Sequence, residues 1–168
     1  FDQAGVVIGL VALREAGLAV AYLAEHGAID SARIAIAGYS LGAYLSVCLA
    51  AVEPRIFAVA LTAGRDLPSS IPFLPLIRTI VDPCDAVQRL AGRPLLLMNG
   101  KRDPRILPAQ ANRLFAAAGE PKEQRWYDGG HWPPASTSSD STQCRHQPRL
   151  VTVSNLTLKH RGASPDRR

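Results

Sequence analysis

The amino-acid sequence predicts an α/β protein in which a mostly parallel sheet is flanked by helices. Three observations lead to this class: short apolar runs typical of buried strands, segments with helical periodicity between them, and glycine- or proline-containing turns at the junctions. Two buried strands joined by a helix make a β-α-β unit, which requires parallel strands and a right-handed crossover. Hydrophobic residues make up 47% of the 168 residues and charged residues 20%, as in a folded globular chain.

The chain begins with an amphipathic segment. Apolar residues recur at helical spacing over residues 2–27, which predicts one long helix or two helices broken near Gly17. Gly27 is expected to end this segment as a left-handed cap.

Residues 64–81 have a different character because three prolines exclude a long regular helix. They predict either a plain connection or a lid over the carboxyl ends of the strands, where open parallel sheets place their ligands.

The remaining elements alternate along the chain. Three apolar runs predict buried strands, at residues 33–37, 56–62 and 94–99, and residues 123–128 are predicted to form a fourth strand that ends at Gly129. Helices are predicted at residues 41–52, 83–90 and 108–118. Asp82 and Pro83 form a typical helix start, with a capping carboxylate followed by proline at the first helical position.

A glycine-rich corner joins the first strand to the second helix. Gly38, Ser40 and Gly42 form the pattern G-x-S-x-G, which is typical of a serine on a strained strand-to-helix turn. Ser40 is therefore the candidate nucleophile. The backbone N–H of Leu41 opens the helix and is the candidate donor to an oxyanion. Tyr39, beside the serine, is a candidate substrate-binding residue.

Two further polar residues follow predicted strands directly. Asp103 lies just after the third strand and His131 just after the fourth. Because the carboxyl ends of parallel strands meet at one edge, both should lie near Ser40, in the arrangement that nucleophilic acyl transfer needs. Each alone could be an ordinary loop residue, Asp103 a turn aspartate and His131 a histidine packed on Trp132. Asp128, close to the histidine, is the competing acid.

The order Ser40, Asp103, His131 resembles that of the α/β-hydrolase superfamily. The resemblance covers residues 1–132, and the strand before Asp103 looks like the dienelactone-hydrolase and prolyl-oligopeptidase-like branch. It implies a partial α/β-hydrolase fold, because the strands that precede the nucleophile in that superfamily, with the loop carrying the second oxyanion donor, have no counterpart here. The chain thus resembles the carboxyl-terminal half of such an enzyme. The first strand is then expected to be an uncovered edge through which the chain could self-associate.

Residues 133–168 differ in composition from the preceding hydrolase-like domain, residues 1–132. The run 136–142 is polar and of low complexity, which predicts a disordered tail, although residues 150–158, whose apolar and polar positions alternate poorly, could form one short strand. The net charge is +5, but residues 133–168 hold six Lys/Arg against two Asp/Glu, whereas residues 1–132 hold 13 against 12. The basic excess therefore belongs to the tail, and nucleic-acid binding is not expected of the folded body.

Three cysteines at wide spacing suit reduced thiols and match no metal-ligand pattern: Cys48, Cys84 and Cys144. The opening residues lack the features of a signal peptide, and no stretch predicts a membrane span, so we expect a cytoplasmic protein with no membrane partner. No cofactor or metal is implied.

The residues and the resemblance together predict a serine hydrolase that cleaves a carboxylic ester or a related acyl bond of a small molecule. Ser40 would attack, His131 would transfer the proton and Asp103 would orient the histidine. The alternative is a catalytically silent hydrolase-like chain that associates through its sheet edge.

Overall fold

One parallel sheet carries the fold of this protein, seen in a computed structural model that describes residues 3–90, 92–133 and 149–152. The five strands lie in the spatial order β4-β3-β2-β1-β5. Their bounds are β1 Ile34–Tyr39, β2 Ile56–Thr62, β3 Leu95–Gly100, β4 Lys122–Tyr127 and β5 Arg149–Thr152. The helices are α1 Gln3–Glu25, α2 Leu41–Val52, α3 Leu74–Ile80, α4 Pro83–Gln88 and α5 Pro108–Ala117.

The sequence-based strand and helix predictions are confirmed to within a few residues for β1 to β4 and for α2, α4 and α5. The cap of α4 is also as predicted, because the Asp82 side chain accepts a hydrogen bond from the backbone N–H of Cys84 at 2.8 Å. All residues of β3 are buried. This strand lies between β2 and β4 in the sheet, and a strand covered on both faces requires the continuous apolar run that the sequence contains.

Helix α1 is continuous, so the predicted alternative of a break near Gly17 is not adopted. A Cβ at Gly17 would lie 3.8 Å from Leu49 Cδ1, so this turn of α1 packs against α2. Tertiary packing of this kind offsets the intrinsic helix penalty of glycine, about 1 kcal/mol. The predicted left-handed cap at Gly27 is wrong: among the described glycines, Gly92 alone has a positive φ, at 81°.

The edge expected to be uncovered is occupied. Strand β5 pairs with β1 in parallel, with Ile34 opposite Arg149 and Ala37 opposite Thr152. Pairing satisfies the backbone groups that an edge strand leaves open, which is why an apolar strand such as β1 favours a neighbour. The prediction of an open edge at β1 is therefore wrong. Self-association of the chain stays a prediction, but an unpaired β1 no longer supports it. The other tail residues, 134–148 and 153–168, lie outside the described residues.

In the part of the chain that the structure describes, no helix combines the length and the apolar character that a membrane span requires. Cys48 and Cys84 carry free thiols, and Cys144 lies outside the described residues.

A buried carboxylate fastens the segment between β2 and α4. Asp66, whose side chain is 4% exposed, accepts hydrogen bonds from Arg78 Nη2 at 2.7 Å and from Arg113 Nε at 2.9 Å. Arg78 also donates to Asp82 at 2.6 Å. Burial raises the pKa of the Asp66 carboxyl, but the hydrogen bonds from Arg113 and Arg78 outweigh burial and hold the pKa below its usual range. The segment of residues 64–81 is thus held against α5 by the ion pair between Asp66 and Arg113.

We expect Asp66→Asn to lower the melting temperature at neutral pH, because it leaves two guanidinium groups without this carboxylate. The lowered pKa means that ionised Asp66 stabilises the wild type above the pKa of the unfolded chain, and that this stability is lost as the pH falls through the folded-state pKa. The difference in melting temperature between wild type and variant should therefore narrow on acidification from pH 7 to pH 3.

Thermal unfolding at several pH values measures this difference. The control is Asp85→Asn, which removes a carboxylate that pairs with Arg89 on an exposed helix surface. This variant should change the melting temperature little at any pH. A difference for Asp66→Asn that stays constant across the range would contradict the predicted ionisation of the buried carboxylate.

Candidate active site

Ser40 lies at the turn between β1 and α2 in a strained backbone conformation. Its φ is 53° and its ψ is −111°, outside the regions that residues with a side chain ordinarily occupy. The backbone N–H of Ser40 donates to the Thr62 carbonyl at 2.9 Å, which fixes the corner against the end of β2. A Cβ at Gly38 would overlap the Gly42 carbonyl, so this glycine is what allows the strand and the helix to approach each other.

The imidazole of His131 lies between the serine and an acid. Its Nε2 is 3.0 Å from Ser40 Oγ, and its Nδ1 is 2.7 Å from Asp103 Oδ2. A carboxylate only accepts hydrogen bonds, so Nδ1 carries the proton in the neutral ring and Nε2 is left as the acceptor for the serine hydroxyl. The three residues predicted from the sequence are therefore brought together in one hydrogen-bonded chain.

Backbone donors fix the carboxylate of Asp103. Its Oδ1 accepts hydrogen bonds from the N–H of Arg105 at 2.8 Å and of Ile106 at 3.1 Å. The Asp103 side chain is 0% exposed, so these bonds and the imidazole replace the water that would otherwise solvate its charge. The competing acid, Asp128, is 72% exposed at its side chain and forms an ion pair with Arg102 at 3.2 Å.

The other two predicted site residues lie on either side of the serine. Leu41 is the first residue of α2, and the N–H groups of a first helical turn have no partner within the helix. Tyr39 stacks on Trp132, with ring centroids 4.9 Å apart, and its hydroxyl donates to the His131 carbonyl at 3.2 Å. A role for Tyr39 in binding substrate stays a prediction.

Sequence reasoning missed two residues that shape the histidine loop. A Cβ at Gly100 would overlap the Gly130 carbonyl, so the end of β3 lies directly against this loop. Tyr127 is buried at the end of β4, and its hydroxyl donates to the His131 carbonyl at 3.0 Å. A tyrosine that ends a predicted strand just before Gly-Gly-His is the signal that could have identified it, because a phenol buried there needs a hydrogen-bond partner.

A second cluster of candidate ligands lies apart from this hydrogen-bonded chain. Among the described residues, Asp66, Asp82 and Cys84 bring one ligand atom each within 4.8 Å of one another. The guanidinium of Arg78 already pairs with both carboxylates, at 2.7 and 2.6 Å. Burial also raises the pKa of the Cys84 thiol to about 12, which disfavours the thiolate that a metal requires.

The arrangement of strands and helices matches that of solved α/β-hydrolases. Acetyl xylan esterase 1 from Thermoanaerobacterium sp. superposes with a TM-score of 0.61 at 16% identity, covering 78% of this chain and 50% of that one. A puromycin-hydrolyzing peptidase of Mycobacterium tuberculosis superposes with a TM-score of 0.64 at 23% identity, covering 74% of this chain and 23% of that one. The chain therefore has the α/β-hydrolase fold, which is the fold that the resemblance of its motifs implied.

A narrower match falls on the region around the serine. Residues 9–64 match the model of the prolyl oligopeptidase family, a segment that includes β1, α2 and β2. An uncharacterised protein of Mycobacterium tuberculosis is 35% identical over 114 residues, which are 64% of this chain and 41% of that protein. A polyketide transferase of Stachybotrys chlorohalonatus is 37% identical over 83 residues, 48% of this chain and 27% of that protein. The chain spans less than half the length of these curated relatives.

We expect Gly100→Ala to destabilise the protein, because the added Cβ must push the backbone of Gly129 and Gly130 away from β3. Overpacking of this kind costs about 1–3 kcal/mol, which would lower the melting temperature by about 3–10 °C. Differential scanning calorimetry measures the change. Displacement of the loop should also lower any activity that depends on His131.

The matched control is Gly119→Ala, where a Cβ meets nothing within 4 Å and φ is not left-handed. This variant should melt at or slightly above the wild-type temperature. Equal melting temperatures for Gly100→Ala and Gly119→Ala would contradict the close approach of the histidine loop to β3.

Proposed function

We propose that this protein is a serine hydrolase that cleaves a carboxylic ester or a related acyl bond of a small molecule. The observation that carries the proposal is the continuous hydrogen-bonded chain from Ser40 Oγ through the His131 ring to Asp103, with contacts of 3.0 and 2.7 Å. A nucleophile, a base and an orienting acid in this geometry are what acyl transfer requires. The strained backbone at Ser40, which presents the hydroxyl at the strand end, adds independent support.

The first half of the reaction forms an acyl-enzyme. Ser40 Oγ attacks the carbonyl carbon of the substrate while its proton passes to His131 Nε2. The carbonyl oxygen becomes an oxyanion, towards which the free N–H of Leu41 donates a hydrogen bond. Collapse of this tetrahedral intermediate breaks the bond to the leaving group, which takes the proton from Nε2.

The second half restores the enzyme. Water attacks the acyl carbon and gives its proton to His131 Nε2, which returns it to Ser40 Oγ when the acid is released. In both halves the buried carboxylate of Asp103 holds Nδ1 and balances the positive charge that develops on the ring. The preference for an ester is supported by the esterases among the structural neighbours, and a related acyl bond by the peptidase among them.

We expect Ser40→Ala to abolish hydrolysis of a short-chain nitrophenyl ester, with a loss of kcat on the order of 10³-fold or more, because the attacking oxygen is removed. The purified wild type and variant are compared by release of nitrophenolate. Circular dichroism of both proteins confirms that the variant is folded.

The matched control is Ser31→Ala, which removes an exposed hydroxyl before β1, at the opposite end of that strand. It should retain the wild-type rate. Equal rates for wild type and Ser40→Ala would leave the catalytically silent alternative as the function of this chain.

Replacing the acid separates the two candidate carboxylates. We expect Asp103→Asn to lower kcat about 10³-fold or more, because an amide can no longer hold the tautomer and balance the charge of His131. Asp128→Asn removes only an exposed ion pair with Arg102 and should stay within about twofold of wild type. Nitrophenyl ester kinetics measure both variants. A large loss for Asp128→Asn with none for Asp103→Asn would reverse the assignment.

A further inference from the structure

Two phenol hydroxyls converge on one backbone oxygen, the carbonyl of His131. The hydroxyl of Tyr39 donates to it at 3.2 Å and that of Tyr127 at 3.0 Å. A carbonyl oxygen has two lone pairs, so two donors occupy its full acceptor capacity and fix its direction. The peptide group of His131 is therefore held from two sides.

The two tyrosines come from strands that are not neighbours. Tyr39 ends β1 and Tyr127 ends β4, and β2 and β3 lie between them in the sheet. Adjacent strands are about 4.8 Å apart, so β1 and β4 are separated by roughly 14 Å. Their side chains meet at the carbonyl of His131, which links the serine strand to the strand that leads into the histidine loop.

Both hydroxyls remain donors at neutral pH. Burial, followed by the negative charge of Asp103, raises the pKa of Tyr127 to about 12. The same two causes raise the pKa of Tyr39 above its usual value. A phenol must be protonated to donate to a carbonyl, so the raised pKa values favour both hydrogen bonds at neutral pH.

The residues before His131 cannot hold it in place by themselves. Gly129 and Gly130 precede the histidine, and glycine allows the widest range of backbone conformations. The N–H of Arg102 donates to the Gly129 carbonyl at 2.9 Å and fixes the start of the loop. The tyrosine hydroxyls fix its end, at the residue whose ring must stay 3.0 Å from Ser40 Oγ.

We propose that Tyr39 and Tyr127 are paired positioning residues, which hold the His131 backbone so that its imidazole stays aligned between Ser40 and Asp103. This inference rests on the proposed function of the site. Neither tyrosine takes part in proton transfer. Because the hydroxyls share one acceptor, each partly compensates for loss of the other.

The test replaces each tyrosine with phenylalanine, which removes the hydroxyl and keeps the ring that, at Tyr39, stacks on Trp132. We expect each single variant to lower kcat about 2- to 5-fold, and the double variant about 30- to 100-fold, which is more than the product of the two single losses, with KM within about twofold of wild type. A loss confined to kcat indicates misalignment of the reacting groups, whereas a disturbed binding surface would raise KM.

The matched control is Tyr22→Phe, which removes a hydroxyl from an exposed tyrosine on α1. It should keep the wild-type kcat and melting temperature. Single and double variants at Tyr39 and Tyr127 with the kcat of this control would overturn the proposal. If the double variant does not fold, the single variants decide in the same way.

A spectroscopic readout separates this proposal from the proposed function. The proton that His131 Nδ1 donates to Asp103 should give a low-field resonance in the NMR spectrum of the wild type, whether or not the chain hydrolyses esters. Loss or broadening of that resonance in the folded Tyr39→Phe/Tyr127→Phe double variant, with its retention in Tyr22→Phe, supports the positioning role. An unchanged resonance overturns it. A wild type that shows the resonance but no ester hydrolysis refutes only the proposed function.

Discussion

The 3.0 Å contact between Ser40 Oγ and His131 Nε2 is the interaction on which the proposed chemistry of this molecule depends. The two residues are 91 positions apart in the sequence and meet only because β1 and β4 end at the same edge of one parallel sheet. The sheet brings the strand ends together at this edge, the start of α2 positions Ser40, and the loop after β4 positions the imidazole. The geometry of this one hydrogen bond therefore depends on elements that are far apart in the sequence.

The contact requires backbone segments to lie closer together than a Cβ atom would permit. Glycine residues allow this close approach at two places. Gly38 lets β1 meet the first turn of α2, and Gly100 lets the end of β3 meet the loop before His131. At the corner itself the strain falls on Ser40, whose side chain the proposed reaction requires, so glycine cannot take its place. Conformations of this kind cost about 1–3 kcal/mol and persist only where surrounding packing determines them. The buried apolar residues of β1, α2 and β2 supply that packing.

Local periodicity in the sequence predicts most of the helices and strands. Contacts between residues that are far apart in the sequence leave no such pattern and were missed. The apolar run of β3 and the proline start of α4 are visible in the chain, and the G-x-S-x-G corner has a pattern of its own. Pairing of β5 with β1 was not predicted, because Arg149–Thr152 lies in a polar tail with poor alternation. Gly100 was missed because nothing local shows that the end of β3 lies against the loop before His131. Tyr127 has a local signal in the Gly-Gly-His that follows it, but that signal does not show which carbonyl accepts from its hydroxyl.

The carboxylate of Asp103 is buried, but hydrogen-bond donors surround it, so its charge is not isolated. Asp103 accepts from two backbone N–H groups and from the imidazole, so three donors surround a carboxylate that water does not reach. In the proposed reaction these donors are fixed before the serine proton moves to Nε2, and they need not reorient when it does. Preorganised polar groups of this kind stabilise developing charge more effectively than water, which must reorganise around it. The same rigidity makes the site sensitive to the His131 backbone, because a ring held at both nitrogens tolerates little movement at its Cα.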